Sequence, residues 1–176
     1  MALVLSKFYM HASKGMCTSK EVKKVQRVTN CVLIRNDQVL LLQKPRRGWW
    51  VAPGGKMEPG ESVRDSCIRE FREETGIYLK NPQLKGIFTM IMKDGDVLLS
   101  EWMMFTFVAT DSDGIDLDES EEGILAWQPI DQIKNLPMAA GDLHIIDYMV
   151  HGKGIIYGTF TYTSEFQLIS YRLDPS

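Results

Sequence analysis

Gly55-Lys56-Met57-Glu58-Pro59-Gly60-Glu61-Ser62-Val63-Arg64-Asp65-Ser66-Cys67-Ile68-Arg69-Glu70-Phe71-Arg72-Glu73-Glu74-Thr75-Gly76-Ile77 is the most informative stretch of this chain. From about Val63 to Thr75 it reads as a helix, with Ser62 as N-cap, Asp65 three residues on and Gly76 at the C-terminal stop. Glu70, Glu73 and Glu74 then stand at i, i+3 and i+4 of one helical face, with Cβ atoms roughly 5–6 Å apart. Like charges that close repel, and the simplest relief is a hard divalent cation held by oxygen ligands, with Mg²⁺ the first choice. On a helical wheel Glu70 and Glu74 straddle the direction of Val63, with Glu73 to one side. Cys67, Ile68 and Phe71 fall in a neighbouring sector. The helix can therefore bury one flank and offer its carboxylates to a cleft. An isolated Glu-rich helix would more often turn such a face to solvent, so the surrounding residues decide the matter.

Their spacing is Gly55, five residues, Glu61, seven residues, then Arg69-Glu70-apolar-x-Glu73-Glu74-x-Gly76-apolar. At every prescribed position this resembles the signature of the Nudix hydrolases, and a chance match is on the order of 10⁻⁹ per starting position. A weaker likeness to MutT-type members runs from about Arg27 to the C-terminus. The resemblance implies an α/β protein, an α/β/α sandwich around a mixed β-sheet. It implies hydrolysis of a nucleoside diphosphate linked to another moiety, with Mg²⁺ or Mn²⁺. Glu70, Glu73 and Glu74 become the chief metal ligands, and the Gly55 carbonyl a further one. Glu61 and Arg69 take structural parts, tying the loop to the helix, as does Gly76. Gly54 and Gly55 could also serve only as a tight turn after Pro53. Another acidic ligand is expected from a distant loop: Glu122 is the choice, with Glu121 beside it, although the whole stretch from Asp111 to Glu122 also reads as solvated. Glu70 and Glu122 are the candidates for taking a proton from water, which makes Glu70, Glu73, Glu74 and Glu122 the expected catalytic set.

Phosphates need donors. Lys44, Arg46, Arg47 and Lys56 bracket the glycine turn and form a local basic cluster, in which Arg can grip phosphate oxygens bidentately and Lys acts as a compact charge. Trp49 and Trp50 alternate faces if extended, so one belongs to the core and Trp49 can border a base pocket. The loop Pro137–Asp142 resembles the place where MutT-like hydrolases shape that pocket. Asp142 could accept hydrogen bonds from a purine edge or simply cap the following helix. His144 and His151 receive no catalytic role.

The bulk numbers exclude other classes. With 176 residues, 44% hydrophobic and 24% charged, the chain suits one ordinary globular domain. A net charge of −3 argues against an extended nucleic-acid surface, so a small-molecule nucleotide is the expected partner. Cys17, Cys31 and Cys67 are odd in number and unclustered, which suggests neither a disulfide framework nor a thiolate zinc site. No apolar run approaches the roughly 20 residues that span a membrane, and cytoplasm is the expected location. Residues 1–24 read as a loose N-terminal extension and 25–176 as a single domain.

Strands are expected at Arg27–Ile34, Gln38–Gln43, Trp49–Ala52, Leu84–Met92, Val97–Ala109 and Ile124–Gln128. An Asp94-Gly95 hairpin turn and an acidic loop from Thr110 to Gly123 lie among them. A short helix at Asp131–Asn135 and a second at Asp142–His151 follow. A terminal hairpin, Ile155–Tyr162 with Phe166–Leu173, offers an edge that could pair a second copy into a homodimer. Likeness to MutT-type members favours guanine nucleotides: 8-oxo-dGTP or dGTP, or the alarmones ppGpp and pppGpp. Removal of pyrophosphate from RNA 5′ ends and a catalytically silent nucleotide sensor are the rival readings. A silent domain would commonly have lost acids from the signature, whereas this one is complete.

Overall fold

The computed structural model describes residues 25–114 and 117–175, so the extension expected over residues 1–24 lies outside the described residues. Period-two alternation organises the centre. On β1 (Gln26–Arg35), Cys31 and Leu33 point to one face and Val32 to the other. On β2 (Gln38–Lys44), Leu40 and Leu42 share the first face, Val39 and Leu41 the second. All of these are buried, so both faces of the sheet are covered, as in a sheet packed between helices. The first face packs on Cys67 and Phe71 of α1 (Val63–Thr75), the second on Ile145, Ile146 and Met149 of α2 (Ala140–His151). This is the expected α/β/α sandwich.

The remaining strands are β3 (Trp49–Val51), β4 (Gly54–Lys56), β5 (Ile77–Lys80), β6 (Gln83–Asp94), β7 (Val97–Ala109), β8 (Asp111–Gly114), β9 (Glu119–Ser120), β10 (Gly123–Pro129), β11 (Ile156–Thr163) and β12 (Leu168–Pro175). The main sheet runs β12-β11-β6-β7-β1-β2-β10-β9, with β3 on β2 and β4 on β1. It is mixed: β1 lies parallel to β7 and β11 to β6, while the β6–β7 and β11–β12 hairpins are antiparallel.

The helix expected over Val63–Thr75 has those bounds. The Ser62 hydroxyl accepts from the Asp65 N–H at 3.1 Å, and Gly76 ends the helix in a left-handed conformation, φ 74°. Four short strands depart from expectation. Gly54-Gly55 reads as a turn, yet β4 pairs with β1. Gly54 has φ 152°, and a Cβ there would stand 2.1 Å from the Thr29 carbonyl oxygen, so only glycine lets the two backbones approach. The acidic loop expected from Thr110 to Gly123 contains β8 and β9. β8 pairs with β5 in a separate small sheet, where Lys80 reaches Asp113 at 2.7 Å. The expected capping role of Asp142 is also corrected. α2 starts at Ala140, its capping position is Ala139, and Asp142 lies inside the first turn, where the helix dipole favours a carboxylate.

Candidate active site

Three elements meet at the end of α1. Glu74, in its last turn, is only 7% exposed. One carboxylate oxygen accepts from the Gly54 N–H of β4 at 2.7 Å, and the other from Lys44 Nζ, the last residue of β2, at 3.1 Å. The same ammonium reaches Glu122, in the turn between β9 and β10, at 3.0 Å. Burial raises the Glu74 pKa above the carboxylate range, opposed by Lys44 and the Gly54 N–H. Burial also costs the Lys44 ammonium, but Glu74 and Glu122 outweigh that and hold it above the ordinary lysine value. On the next turn back, Glu70 lies against Gly55: a Cβ on that glycine would stand 2.2 Å from Glu70 Oε2.

Arg69 fastens the rest. Its Nε and Nη2 grip Glu61 at 2.6 and 2.9 Å, and Nη1 reaches Glu70 at 2.8 Å and Glu73 at 3.0 Å. Nη2 also donates to the Lys56 carbonyl at 3.2 Å. Arg69 and the Glu58 N–H pull the Glu61 carboxyl down to about 2. Arg69→Lys keeps the charge but loses the fork, and is expected to remove about 1–3 kcal/mol of stability in chemical denaturation. Because the folded-state pKa of Glu61 is depressed, the pair stabilises the fold above the unfolded value near 4 and fades as pH falls towards 2. Wild type and Arg69→Lys should therefore converge in acid.

The chain thus supplies its own counter-charges to the carboxylates. Among the described residues no three carboxylate, imidazole or thiolate groups already close into a metal cage; Lys44 and Arg69 stand between them. The donor set nevertheless fits a hard divalent cation. Its members are carboxylate oxygens, the missing Cβ of Gly55 lets the Glu70 carboxylate lie against the backbone there, and Lys44 shows that a positive charge is stabilised between Glu74 and Glu122. Glu70, Glu74 and Glu122 would hold it, with Glu73 and the Gly55 carbonyl as further donors. Glu73 is the most open of the helical acids and joins the group through Arg69.

A cavity of about 180 Å³ borders Gly54, walled by Val28, Val51, Ala52, Met104 and Ile145. Its polar groups are few. Asn30 and Thr106 are cross-strand neighbours on β1 and β7, and the Asn30 Oδ1 and Thr106 Oγ1 atoms are buried with no hydrogen-bond partner. Asp142 enters from α2, its carboxyl pushed up to about 6 by burial. The Tyr162 hydroxyl, also without a well-aligned partner, touches Gly141 beside it. A larger cleft of about 480 Å³, between residues 130–135 and α2, contains none of the carboxylates above.

The other expected contacts are dispersed. Trp50 packs into the α2-side core, while Trp49 meets Phe166 edge-on at 6.2 Å. Arg46, Arg47, Lys56 and Glu121 are exposed. His144 stacks on Tyr171 at 4.3 Å, and His151 bonds to Asp147. Sequence reasoning missed Asn30, Thr106 and Tyr162. The available signal was an amide leading into the apolar run Cys31-Val32-Leu33-Ile34 and a lone hydroxyl inside Met104-Phe105-Thr106-Phe107.

A profile of the NUDIX domain matches residues 24–149. The Nudix hydrolase YvcI of Bacillus subtilis is 70% identical over 151 residues, 86% of this chain and 96% of that protein. Human 8-oxo-dGDP phosphatase NUDT18 is 32% identical over 124 residues, 65% of this chain and 35% of that one. A crystal structure of the mutator MutT protein from Bacillus halodurans superposes with a TM-score of 0.84 at 58% identity, covering 86% of this chain and 99% of the other.

Proposed function

The chain belongs to the Nudix family of hydrolases, which act on pyrophosphate bonds, and we propose that it cleaves such a bond in a guanine nucleotide with the aid of Mg²⁺ or Mn²⁺. The substrates we favour are 8-oxo-dGTP or dGTP, and after them ppGpp and pppGpp. The observation that carries this reading is the polar end of the small cavity beside the carboxylates. Asp142 and the unpartnered Asn30 Oδ1 offer acceptors to the ring N–H and amino group of guanine, while the unpartnered Thr106 hydroxyl can donate to its carbonyl. The name of the human 8-oxo-dGDP phosphatase agrees with this choice of base.

When bound, the divalent ion supplies Lewis-acid charge to a phosphate and lowers the pKa of a water. The chain's residues do the remainder. Glu70 or Glu122 accepts the proton of the attacking water as the bridging P–O bond breaks. The Gly54 N–H fixes Glu74, and Arg69 fixes Glu70 and Glu73 relative to the loop at Glu61. Lys44 places a positive charge beside the phosphates.

A panel of 8-oxo-dGTP, dGTP, ppGpp, CTP, ADP-ribose and 5′-triphosphorylated RNA, with products separated by chromatography, tests the assignment. Guanine nucleotides should show kcat/KM at least about tenfold above the rest. Preference for CTP, ADP-ribose or RNA would remove the guanine reading, and metal-dependent binding without turnover would make this a sensor.

Asp142→Asn turns an acceptor into an amide and should cut the guanine preference by about tenfold or more. Its stability effect has a definite sign. The folded-state pKa of Asp142, about 6, lies above the unfolded value, so its favourable contribution is complete below about pH 4 and is lost as pH rises through 6. Asp142→Asn should therefore melt a few degrees above wild type at pH 8 and no higher at pH 4.

A further inference from the structure

The hairpin of β11 and β12 lies beyond residues 24–149, the stretch that matches the family. Its turn is well made: Thr163 N–H donates to the Gln167 carbonyl at 2.9 Å, and the Thr163 hydroxyl accepts from the Glu165 and Gln167 N–H groups at 3.3 and 3.1 Å. Within it Phe166 has φ +62°. Among the described residues the other non-glycine positions at positive φ are Asn36, Asp37 and Asn81, types that tolerate the left-handed region; a phenylalanine there is strained. A turn needing only that backbone would be better served by Gly or Asn, so the side chain of Phe166 must have its own work.

Phe166 meets the Trp49 ring edge-on, and the Arg47 guanidinium lies 4.6 Å from the Phe166 centroid and 5.1 Å from that of Trp49. Arg47 Nη1 donates to the Glu165 carbonyl of the same turn at 3.2 Å. An exposed arginine is thereby tied to a distant hairpin through two aromatic rings and one carbonyl. It lies three residues after Lys44, whose ammonium already touches Glu74 and Glu122. On the inner side Phe166 packs on Tyr162 at 6.3 Å, and the Tyr162 hydroxyl touches Gly141, next to Asp142 of the cavity. One turn therefore touches both the β2–β3 segment that follows Lys44 and, through Tyr162, the neighbourhood of the small cavity.

We propose that the tip of this terminal hairpin is part of the substrate site, with Phe166 the positioning residue that holds the Arg47 guanidinium against Trp49 to grip a substrate phosphate. The inference rests on the pyrophosphohydrolase reading and extends it to a segment outside the family match. A guanidinium stacked on aromatic faces keeps its N–H edge for a ligand and loses less freedom when it binds.

The probe is inorganic tripolyphosphate with Mg²⁺, titrated calorimetrically, because it reports phosphate contacts whatever base the cavity prefers. Phe166→Gly and Arg47→Ala should each weaken binding by roughly tenfold, and the double variant no more than the stronger single one. Phe166→Tyr should bind within about threefold of wild type. Phe166→Gly relieves backbone strain, so its melting temperature should stay within a few degrees of wild type; if it fails to fold, Phe166→Asn replaces it. Wild-type binding in Phe166→Gly, additive losses in the double variant, or no tripolyphosphate binding by the wild type would each overturn the proposal. A wild type that turns over nucleotides while Phe166→Gly binds normally sinks only the role of the hairpin. A wild type that turns over none of the panel sinks the underlying reading.

Discussion

Glu74→Gln is expected to lower kcat by about a thousandfold or more while leaving the fold intact, because metal-assisted hydrolysis is worth several kcal/mol and this acid is central to the donor set. Both of its oxygens are engaged, one with the Gly54 N–H and one with Lys44. Glutamine has the same shape and can still accept from Gly54, so the backbone of β4 keeps its partner. What disappears is one negative charge in a buried place, and burial already works against that charge. The folded state should consequently tolerate the substitution well, with a melting temperature at or slightly above that of wild type at pH 8. Turnover and stability would then move in opposite directions, as expected of a group kept for chemistry rather than packing. Saturating-substrate kinetics alongside thermal unfolding decide the matter. Near-normal turnover in the folded variant would remove Glu74 from the ligand set, and loss of the fold would show its role to be structural.

Lys44→Met carries the second large effect, and its sign is less obvious. The ammonium lies 3.1 Å from Glu74 and 3.0 Å from Glu122, so a divalent ion held by those acids must approach a like charge or displace it. At an effective dielectric near 20, unit charges about 4 Å apart interact by roughly 4 kcal/mol. Lys44 is about one-third exposed, so solvent screens much of this. The surviving part should still make the free variant bind Mn²⁺ about ten times more tightly at pH 8, by paramagnetic resonance titration. Catalysis should fall, with kcat/KM down roughly a hundredfold, since the lysine that resists the ion also stabilises charge on the phosphates. Tighter metal with slower turnover cannot be confused with general damage, which would weaken both. Mn²⁺ affinity unchanged or reduced would show that the ammonium does not compete.

The legibility of the fold followed the strength of local patterns. The helix from Val63 to Thr75 carries its own cap, stop and buried flank, and its bounds emerge correctly from residues 62–76. The strand Val97–Ala109 is long enough to declare itself. By contrast, β4 is two glycines and a lysine, a composition that signals a turn. It is a strand only because Gly54 can press on Thr29, a contact set by tertiary structure. β5 and β8 were equally hidden: Asp111-Ser112-Asp113-Gly114 has no apolar alternation, and its pairing with Ile77–Lys80 arises from where α1 ends.

The site divides along the same line. Spacing alone groups Glu61, Arg69, Glu70, Glu73 and Glu74, because all lie within one loop and helix, and the structure gathers Glu61, Glu70 and Glu73 around the Arg69 guanidinium while Glu74 turns to Lys44 and Gly54. Lys44 between Glu74 and Glu122 needs three separate segments to meet. Asn30 and Thr106 need a parallel pairing between strands more than seventy residues apart. Such conjunctions have no local imprint; they follow only once the sheet order is known.

That sheet order also sets a timetable. β11 lies parallel to β6, with Ile156 beside Gly86, so it must dock against a strand formed long before it. A nascent chain that has formed the elements up to α2 already owns every acid of the helix and every strand on which α1 rests. It lacks Tyr162 and Phe166. If Phe166 holds Arg47 as proposed, a half-made copy presents its carboxylates without the grip that selects what reaches them, and competence for phosphate arrives only once β11 and β12 have docked.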